Sequence, residues 1–142
     1  MTEPTISNLP RITPQTLSGL LLSQPAPKDI AVIDVRTTDH VGGHIRDSMH
    51  VPSDTLDHRI PALVRELEGK KTVVFHCTMS QHRGPGAALQ YWRERRRMLG
   101  EAGGQEVVVL EGGFMRWQEK YGKDERLTEA YAEDIWADGY DG

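Results

Sequence analysis

The stretch VVFHCTMSQHRGP, residues 73–85, carries the strongest structural signal in the sequence. Its apolar start belongs to a predicted buried strand, TVVFH at 72–76, because a short apolar run bounded by polar residues is typical of such strands. The glycine and proline at its end open a predicted helix over 83–99, since proline is tolerated in the first turn of a helix. Cys77 and Arg83 therefore stand at the two ends of a loop that joins a strand to a helix.

Outward from this stretch, short apolar runs alternate with amphipathic segments. Strands that alternate with helices and read as continuous apolar runs predict an α/β fold, with a parallel sheet covered on both faces. The further predicted strands are AVIDV at 31–35, SMHVP at 48–52 and EVVVL at 106–110. The further predicted helices are 14–23, 53–69 and a short one within GGFMRWQEKY at 112–121.

The length of 142 residues suits one compact domain. We expect an extended N-terminal lead-in over 1–13, a catalytic domain over 14–124 and an acidic C-terminal tail over 125–142, either helical or frayed. Pro61 predicts a kink or a restart in the helix that contains it. The basic run RERRR at 93–97 predicts an exposed helix face, which is either plain solvated surface or a docking patch for a phosphoprotein.

Composition excludes several classes of partner. The formal net charge of -4 gives no indication of nucleic-acid binding, which usually requires a basic face. The longest apolar runs are too short to span a bilayer, and the first 14 residues lack the apolar core of a signal peptide. The single cysteine rules out an intrachain disulfide and suits a reducing compartment. We therefore expect a soluble protein of the cytoplasm, or alternatively the nucleus, with no membrane partner and an unassigned oligomeric state.

The loop between Cys77 and Arg83 has the features of an anion site that contains its own nucleophile. Backbone N–H groups of a loop before a helix, together with the helix N-terminus, bind anions. Arg83 adds a planar cationic fork that matches two oxygens of a phosphate-like group. The same positive field stabilises a thiolate directed at the central atom of a bound tetrahedral anion. The alternative is that Cys77 is a buried structural thiol, which packs as a small hydrophobe.

Metal and cofactor binding are not predicted. The six histidines include no pair four residues apart on a predicted helix, and one cysteine cannot build a thiolate-rich zinc site. The segment 84–89 begins like a nucleotide-binding glycine loop but ends in leucine, so it receives no nucleotide interpretation.

Three motifs together resemble a known family. HCTMSQHRGP at 76–85 resembles the His-Cys-(x)5-Arg signature of the cell division cycle 25 dual-specificity phosphatases and of related arsenate reductases. VIDVRTTDHVGGHIRDSMHVP at 32–52 resembles the Asp-x-Arg…Gly-His-Ile…Asn-x-Pro segment of rhodanese domains, and EGGFMRWQ at 111–118 resembles their closing motif. The matches cover about residues 30–120, and the small fungal or plant members are the most similar. The resemblance implies a rhodanese-like fold with a central parallel five-stranded sheet flanked by helices.

The resemblance also implies residue roles. Cys77 would be the nucleophile and Arg83 the oxyanion clamp. His76 would orient the loop, and Asp34 and Arg36 would support the site from a neighbouring strand end. The backbone amides that would line the anion are those of Thr78, Met79, Ser80, Gln81, His82 and Arg83.

Relatives among the cell-cycle phosphatases carry glutamates where this chain has Thr78 and His82. The acid that protonates a leaving group is therefore unassigned. Either the leaving group needs little protonation, or His82 or a proton on the substrate serves. His82 facing solvent is the alternative.

The sequence is compatible with two enzymatic functions. One is arsenate reduction, which would need glutathione and a glutaredoxin as external reductants, because the chain has no second sulfur. The other is hydrolysis of a phosphorylated protein or aryl phosphate through a phosphocysteine. A rhodanese-type sulfurtransferase with a Cys77 persulfide is disfavoured, since the resemblance implies a loop one residue shorter for that activity. A silent rhodanese-like binding module is disfavoured because Cys77 and Arg83 are both present.

Overall fold

A five-stranded parallel sheet lies at the centre of the computed structural model, which describes residues 3–23, 29–101 and 104–137. In spatial order its strands are β1 (Arg11–Ile12), β6 (Glu106–Leu110), β5 (Thr72–His76), β2 (Ile30–Asp34) and β4 (Met49–His50), and every neighbouring pair is parallel. This architecture confirms the predicted α/β fold. A separate antiparallel pair consists of β3 (His44–Ile45) and β7 (Thr128–Glu129).

Helices cover both faces of this sheet. One face packs against α2 (Leu56–Glu66), which follows a 3-10 turn (Ser53–Thr55), and against α3 (Arg83–Leu99). The other face packs against α1 (Pro14–Ser23), α4 (Gly113–Tyr121) and α5 (Glu133–Ala137). None of the helices among the described residues combines the length and apolarity needed to cross a membrane.

Alternation along β5 shows how the sheet divides the core. Val73 and Phe75 point into the cluster beneath α2 and α3, whereas Val74 points into the cluster that includes Phe114 and Trp117. All five are at most 1 % exposed. Because both faces are buried, the strand needs apolar residues at consecutive positions, which is the pattern that the sequence displays.

Both predicted flanking segments contribute to the fold. Arg11 and Ile12 of the lead-in form the edge strand β1 beside β6. In the tail, β7 pairs with β3, and Trp136 is 7 % exposed with its indole N–H donating to the Gly42 carbonyl at 3.0 Å. Residues 1–2, 138–142 and most of a loop predicted over 24–29 lie outside the described residues.

Two local predictions about helices need correction. A restart of the helix at Pro61 is wrong, because α2 runs through this residue, whereas a kink there stays a prediction. A proline here removes only one backbone bond, and the buried face of the helix outweighs that loss. Arg95 of the basic run is 8 % exposed. It lies one turn after the fully buried Tyr91, on the same side of α3, so the helix carries Arg95 inward.

Candidate active site

The loops that contain the predicted site residues meet at the carboxyl edge of the sheet. Strands β2 and β5 are adjacent, and Asp34 at the end of one is in register with His76 at the end of the other. Carboxyl ends of parallel strands are the usual place for ligand sites in such sheets. The Cys77–Arg83 loop after β5 therefore lies beside the segment 35–43 that follows β2.

Cys77 lies at the base of its loop. It is 4 % exposed, and its Sγ accepts the backbone N–H of Ser80 at 3.2 Å. Ser80 has a φ of +57°, a left-handed conformation that is uncommon outside glycine. This turn directs the Ser80 N–H inward toward Sγ. The Arg11 guanidinium donates to the Ser80 carbonyl at 3.2 Å, so β1 also contacts the loop.

The Gly112–Gly113 pair allows α4 to support the loop from behind. Gly113 has a φ of +58°, and a Cβ there would lie 2.6 Å from the Cys77 carbonyl oxygen and collide with that of Thr78. At the start of α4, the N–H of Phe114 donates to the Cys77 carbonyl at 3.0 Å, and that of Met115 to the Thr78 carbonyl at 2.9 Å. The first two carbonyls of the loop are thereby fixed on the side of α4.

His76 makes a contact consistent with a loop-orienting role. Its Nδ1 lies 3.0 Å from the Cys77 carbonyl, and the ring is fully buried. Burial lowers the pKa of His76, so the ring is neutral near pH 7. In that state Nδ1–H is the donor to the carbonyl.

Asp34 and Arg36 form a fully buried ion pair. The Arg36 Nη2 lies 2.7 Å from the Asp34 carboxylate, and its Nε at 3.0 Å completes a fork. The same guanidinium donates to the carbonyls of Gly43 at 2.8 Å and Val41 at 3.3 Å and lies 4.5 Å from the centre of the Phe114 ring. The pair therefore anchors the loop that follows β2.

Asp39, in that anchored loop, is a site residue that the sequence did not reveal. Its carboxylate accepts hydrogen bonds from Nη1 and Nη2 of Arg83, the first at 2.8 Å, and from the Thr78 hydroxyl at 2.7 Å. The hydrogen bonds from Arg83 hold the pKa of Asp39 well below its usual range, although burial opposes them. The same pairing raises the pKa of Arg83, which stays protonated. The only local signal is an acidic residue three positions after Arg36.

Of the backbone amides predicted to line the anion, that of Ser80 points at Cys77 Sγ, and the role of the others stays a prediction. Thr78 and Ser80 are buried beside Cys77, and Arg83 starts α3. His82 precedes that helix, and its own carbonyl accepts the Gly86 N–H at 2.8 Å. The side chains of Met79, Gln81 and His82 are exposed on the outside of the loop.

Three histidines stack near the site, a feature that the sequence did not indicate. The His40 and His50 rings lie 3.7 Å apart between centroids, and His44 stacks on His40 at 5.8 Å. His40 Nε2 is 3.4 Å from the Asp34 carboxylate, and burial lowers the pKa of His40. Among the described residues, these rings do not join a group of ligands able to hold a metal ion.

The buried Asp34 carboxylate predicts an acid-sensitive contribution to stability. Burial alone would raise its pKa, but the charge of His76 in acid and the hydrogen bonds of Arg36 outweigh burial and lower the pKa from 3.8 to about 2. The stabilisation is present above pH 3.8 and is lost as the pH falls toward 2, about 2 kcal/mol in all. We expect the stability difference between wild type and Asp34→Asn to shrink by about 1 kcal/mol from pH 5 to pH 3. Urea unfolding measures it, and a constant difference contradicts the assignment.

Comparison with known proteins gives consistent matches. The family model for the rhodanese-like domain matches residues 14–120. The CDC25-like phosphatase YCH1 of Saccharomyces cerevisiae is 40 % identical over 116 residues, which is 74 % of this chain and 76 % of that protein. Arsenate reductase 2.2 of Oryza sativa subsp. japonica is 38 % identical over 90 residues, 63 % of this chain and 69 % of that protein. The crystal structure of Saccharomyces cerevisiae Ygr203w, described as a homolog of single-domain rhodanese and the Cdc25 phosphatase catalytic domain, superposes with a TM-score of 0.76 at 33 % identity, covering 95 % of this chain and 97 % of that one.

Proposed function

The chain belongs to the rhodanese-like domain family, and on this basis we propose that it is a cysteine-dependent phosphatase related to the cell division cycle 25 enzymes. One observation carries the proposal. Cys77 Sγ accepts the Ser80 backbone N–H, and Arg83, at the far end of the same seven-residue loop, interacts electrostatically with Cys77. A nucleophile and an anion clamp thus share one cradle.

The proposed reaction has two displacement steps. The Cys77 thiolate attacks phosphorus while Arg83 and loop amides hold the non-bridging oxygens, the S–P bond forms, and the P–O bond to the leaving group breaks. The leaving oxygen takes one proton. Water then attacks the phosphocysteine, the S–P bond breaks, and inorganic phosphate and the free thiolate result. Arg83 remains charged throughout, because its pKa lies above the ordinary arginine value.

The proposed substrates are phosphorylated side chains or small aryl phosphates. A phenolate-type leaving group departs with little protonation, so p-nitrophenyl phosphate tests the thiolate and the clamp without depending on a general acid. His82 is exposed, at the boundary of the loop and α3. Its role as a proton donor stays a prediction.

Arsenate reduction is a second candidate, supported by the similarity to the rice arsenate reductase. Arsenate is also a tetrahedral oxyanion, so the first attack by Cys77 is the same, with water as the leaving group. Glutathione then attacks the Cys77 sulfur, the S–As bond breaks, arsenic(V) becomes arsenic(III) and a mixed disulfide forms. A glutaredoxin thiol then attacks the glutathione sulfur of that mixed disulfide and frees the Cys77 thiolate, and a second glutathione reduces the glutathionylated glutaredoxin to give glutathione disulfide. The chain needs this external thiol because Cys77 is its only cysteine.

A side-by-side assay tests both candidates. We expect p-nitrophenyl phosphate hydrolysis with only enough reductant to keep Cys77 reduced, and arsenite formation only when glutathione and a glutaredoxin are both supplied. Intact-protein mass spectrometry during arsenate turnover should detect a glutathione adduct on Cys77. Sustained arsenite production without external thiol would overturn the scheme. Inactivity on both substrates would contradict the proposed function.

Sulfur transfer and a silent binding role are not favoured. The Cys77–Arg83 loop has the length that resembles the phosphatase and arsenate reductase signature, and both reactive side chains are present. Transfer of sulfur from thiosulfate to cyanide, measured in the same preparation, serves as the comparison. We expect it to be slow relative to p-nitrophenyl phosphate hydrolysis.

A further inference from the structure

We propose that Asp39 is a positioning residue for this reaction, because its carboxylate fixes one edge of the Arg83 guanidinium and leaves another edge for the oxyanion. The inference deepens the proposed function and rests on it. Asp39 lies outside the nucleophile loop, in the segment after β2. It acts through Arg83 and Thr78, both of which it contacts directly.

The donor inventory of Arg83 explains the geometry. A guanidinium has five N–H groups in a rigid plane. Asp39 accepts one from Nη1 and one from Nη2, so it occupies the end of the fork. The Nε–H and the second N–H of each terminal nitrogen remain. Cys77 also interacts electrostatically with the same side chain, so the reacting sulfur and the carboxylate both act on one cation.

Asp39 itself is held by contacts that do not depend on Arg83. Its carboxylate accepts the backbone N–H of Thr37 at 3.0 Å and the hydroxyl of Thr78 at 2.7 Å, and its side chain is 13 % exposed. The buried Arg36 binds carbonyls of the same loop at Val41 and Gly43. A carboxylate fixed in this way can hold a guanidinium in one rotation.

The contacts of Asp39 also join the two ends of the nucleophile loop. Thr78 immediately follows Cys77, and Arg83 is the last residue of the loop. The Asp39 carboxylate therefore sets the distance between the Thr78 amide at the start of the loop and the Arg83 guanidinium at its end. Such preorganisation increases anion binding, because the site does not have to reorganise when the ligand enters.

The alternative role for Asp39 is competition with the oxyanion for the Arg83 guanidinium. If its carboxylate merely filled the place of a substrate oxygen, the oxyanion would have to displace it, and removing its charge would tighten anion binding. Asp39 is tied to Thr37 and Thr78 as well as to Arg83, and Arg83 keeps three N–H groups for a ligand, which favours positioning. The two roles predict binding changes of opposite sign.

The test measures the dissociation constant of tungstate, a non-reacting tetrahedral oxyanion, together with kcat/KM for p-nitrophenyl phosphate. Asp39→Asn should weaken tungstate binding about tenfold and lower kcat/KM by a similar factor, since the amide replaces a charged acceptor of Arg83. Asp39→Glu should recover part of both. Asp124→Asn is the matched control, because Asp124 also pairs with an arginine, Arg126, at 2.8 Å, through an exposed contact. That control should leave both quantities unchanged.

Unchanged or tighter tungstate binding in Asp39→Asn would overturn the inference. If that variant does not fold, Thr78→Val keeps the Asp39 charge and removes one of its holders, and it should weaken tungstate binding about threefold. Equal affinity in Thr78→Val would then overturn the proposal. Failure of this inference and failure of the proposed function give different results. A wild-type protein that binds tungstate but hydrolyses nothing would refute the proposed function. The difference in tungstate affinity between wild type and Asp39→Asn would still test the role of Asp39.

Discussion

Replacing Cys77 with serine is expected to reduce p-nitrophenyl phosphate hydrolysis by at least about 10⁴-fold. Serine keeps the size of the side chain, and its hydroxyl still accepts the Ser80 N–H that now reaches Sγ at 3.2 Å. An alcohol is not ionised at neutral pH, so no nucleophile replaces the thiolate. Arg83 and the loop amides are unchanged, so the cradle should still bind an oxyanion.

Two measurements separate this loss of chemistry from a loss of structure. Tungstate affinity in Cys77→Ser should stay within about threefold of wild type, and thermal unfolding should shift by only a few degrees. Cys77 is 4 % exposed and packs in the core, so serine carries a small cost in stability. Turnover that persists in Cys77→Ser would show that a different group attacks phosphorus. Loss of tungstate binding would show that the thiol belongs to the cradle.

The larger strands could be predicted because each is a continuous apolar run. The strands β2, β5 and β6 lie within one residue of the predicted runs, since burial on both faces demands apolar residues at consecutive positions. The strand β1 could not be predicted. Two residues carry no periodicity, and Arg11 and Ile12 become a strand only because β6 offers a free edge.

The site likewise contains residues that the sequence could predict and residues that it could not. Cys77 and Arg83 were identified because loop, strand end and helix start all fall within one short stretch. Asp39 reaches Arg83 across 44 residues, and that contact exists only because β2 and β5 are neighbours in the sheet. The packing of Trp136 against Gly42 spans 94 residues and depends on the tail folding back. Sequence patterns predict local structure only, so contacts between residues far apart in the chain become visible only once the fold is known.

Arg83→Lys is the second substitution with a large expected effect, a fall in kcat/KM of about 10²- to 10³-fold. Lysine keeps the positive charge but presents a single ammonium group on a flexible stem. In the structure the guanidinium donates hydrogen bonds to Asp39 from two nitrogens and still has N–H groups for the oxyanion. An ammonium with three donors cannot span both groups in one plane, so charge stabilisation in the transition state is lost.

The result of Arg83→Lys is decisive only against a control with the same chemical change. Arg126 forms a similar fork with Asp124, with Nε and Nη2 at 3.0 and 2.8 Å, in an exposed pair. Arg126→Lys should keep kcat/KM for p-nitrophenyl phosphate within about twofold of wild type, because an exposed pair contributes little. Both variants should have melting temperatures within a few degrees of wild type, since Arg83 is about one third exposed. Near-normal turnover in Arg83→Lys would mean that charge alone suffices and that the planar fork, and with it the role of Asp39, is not needed.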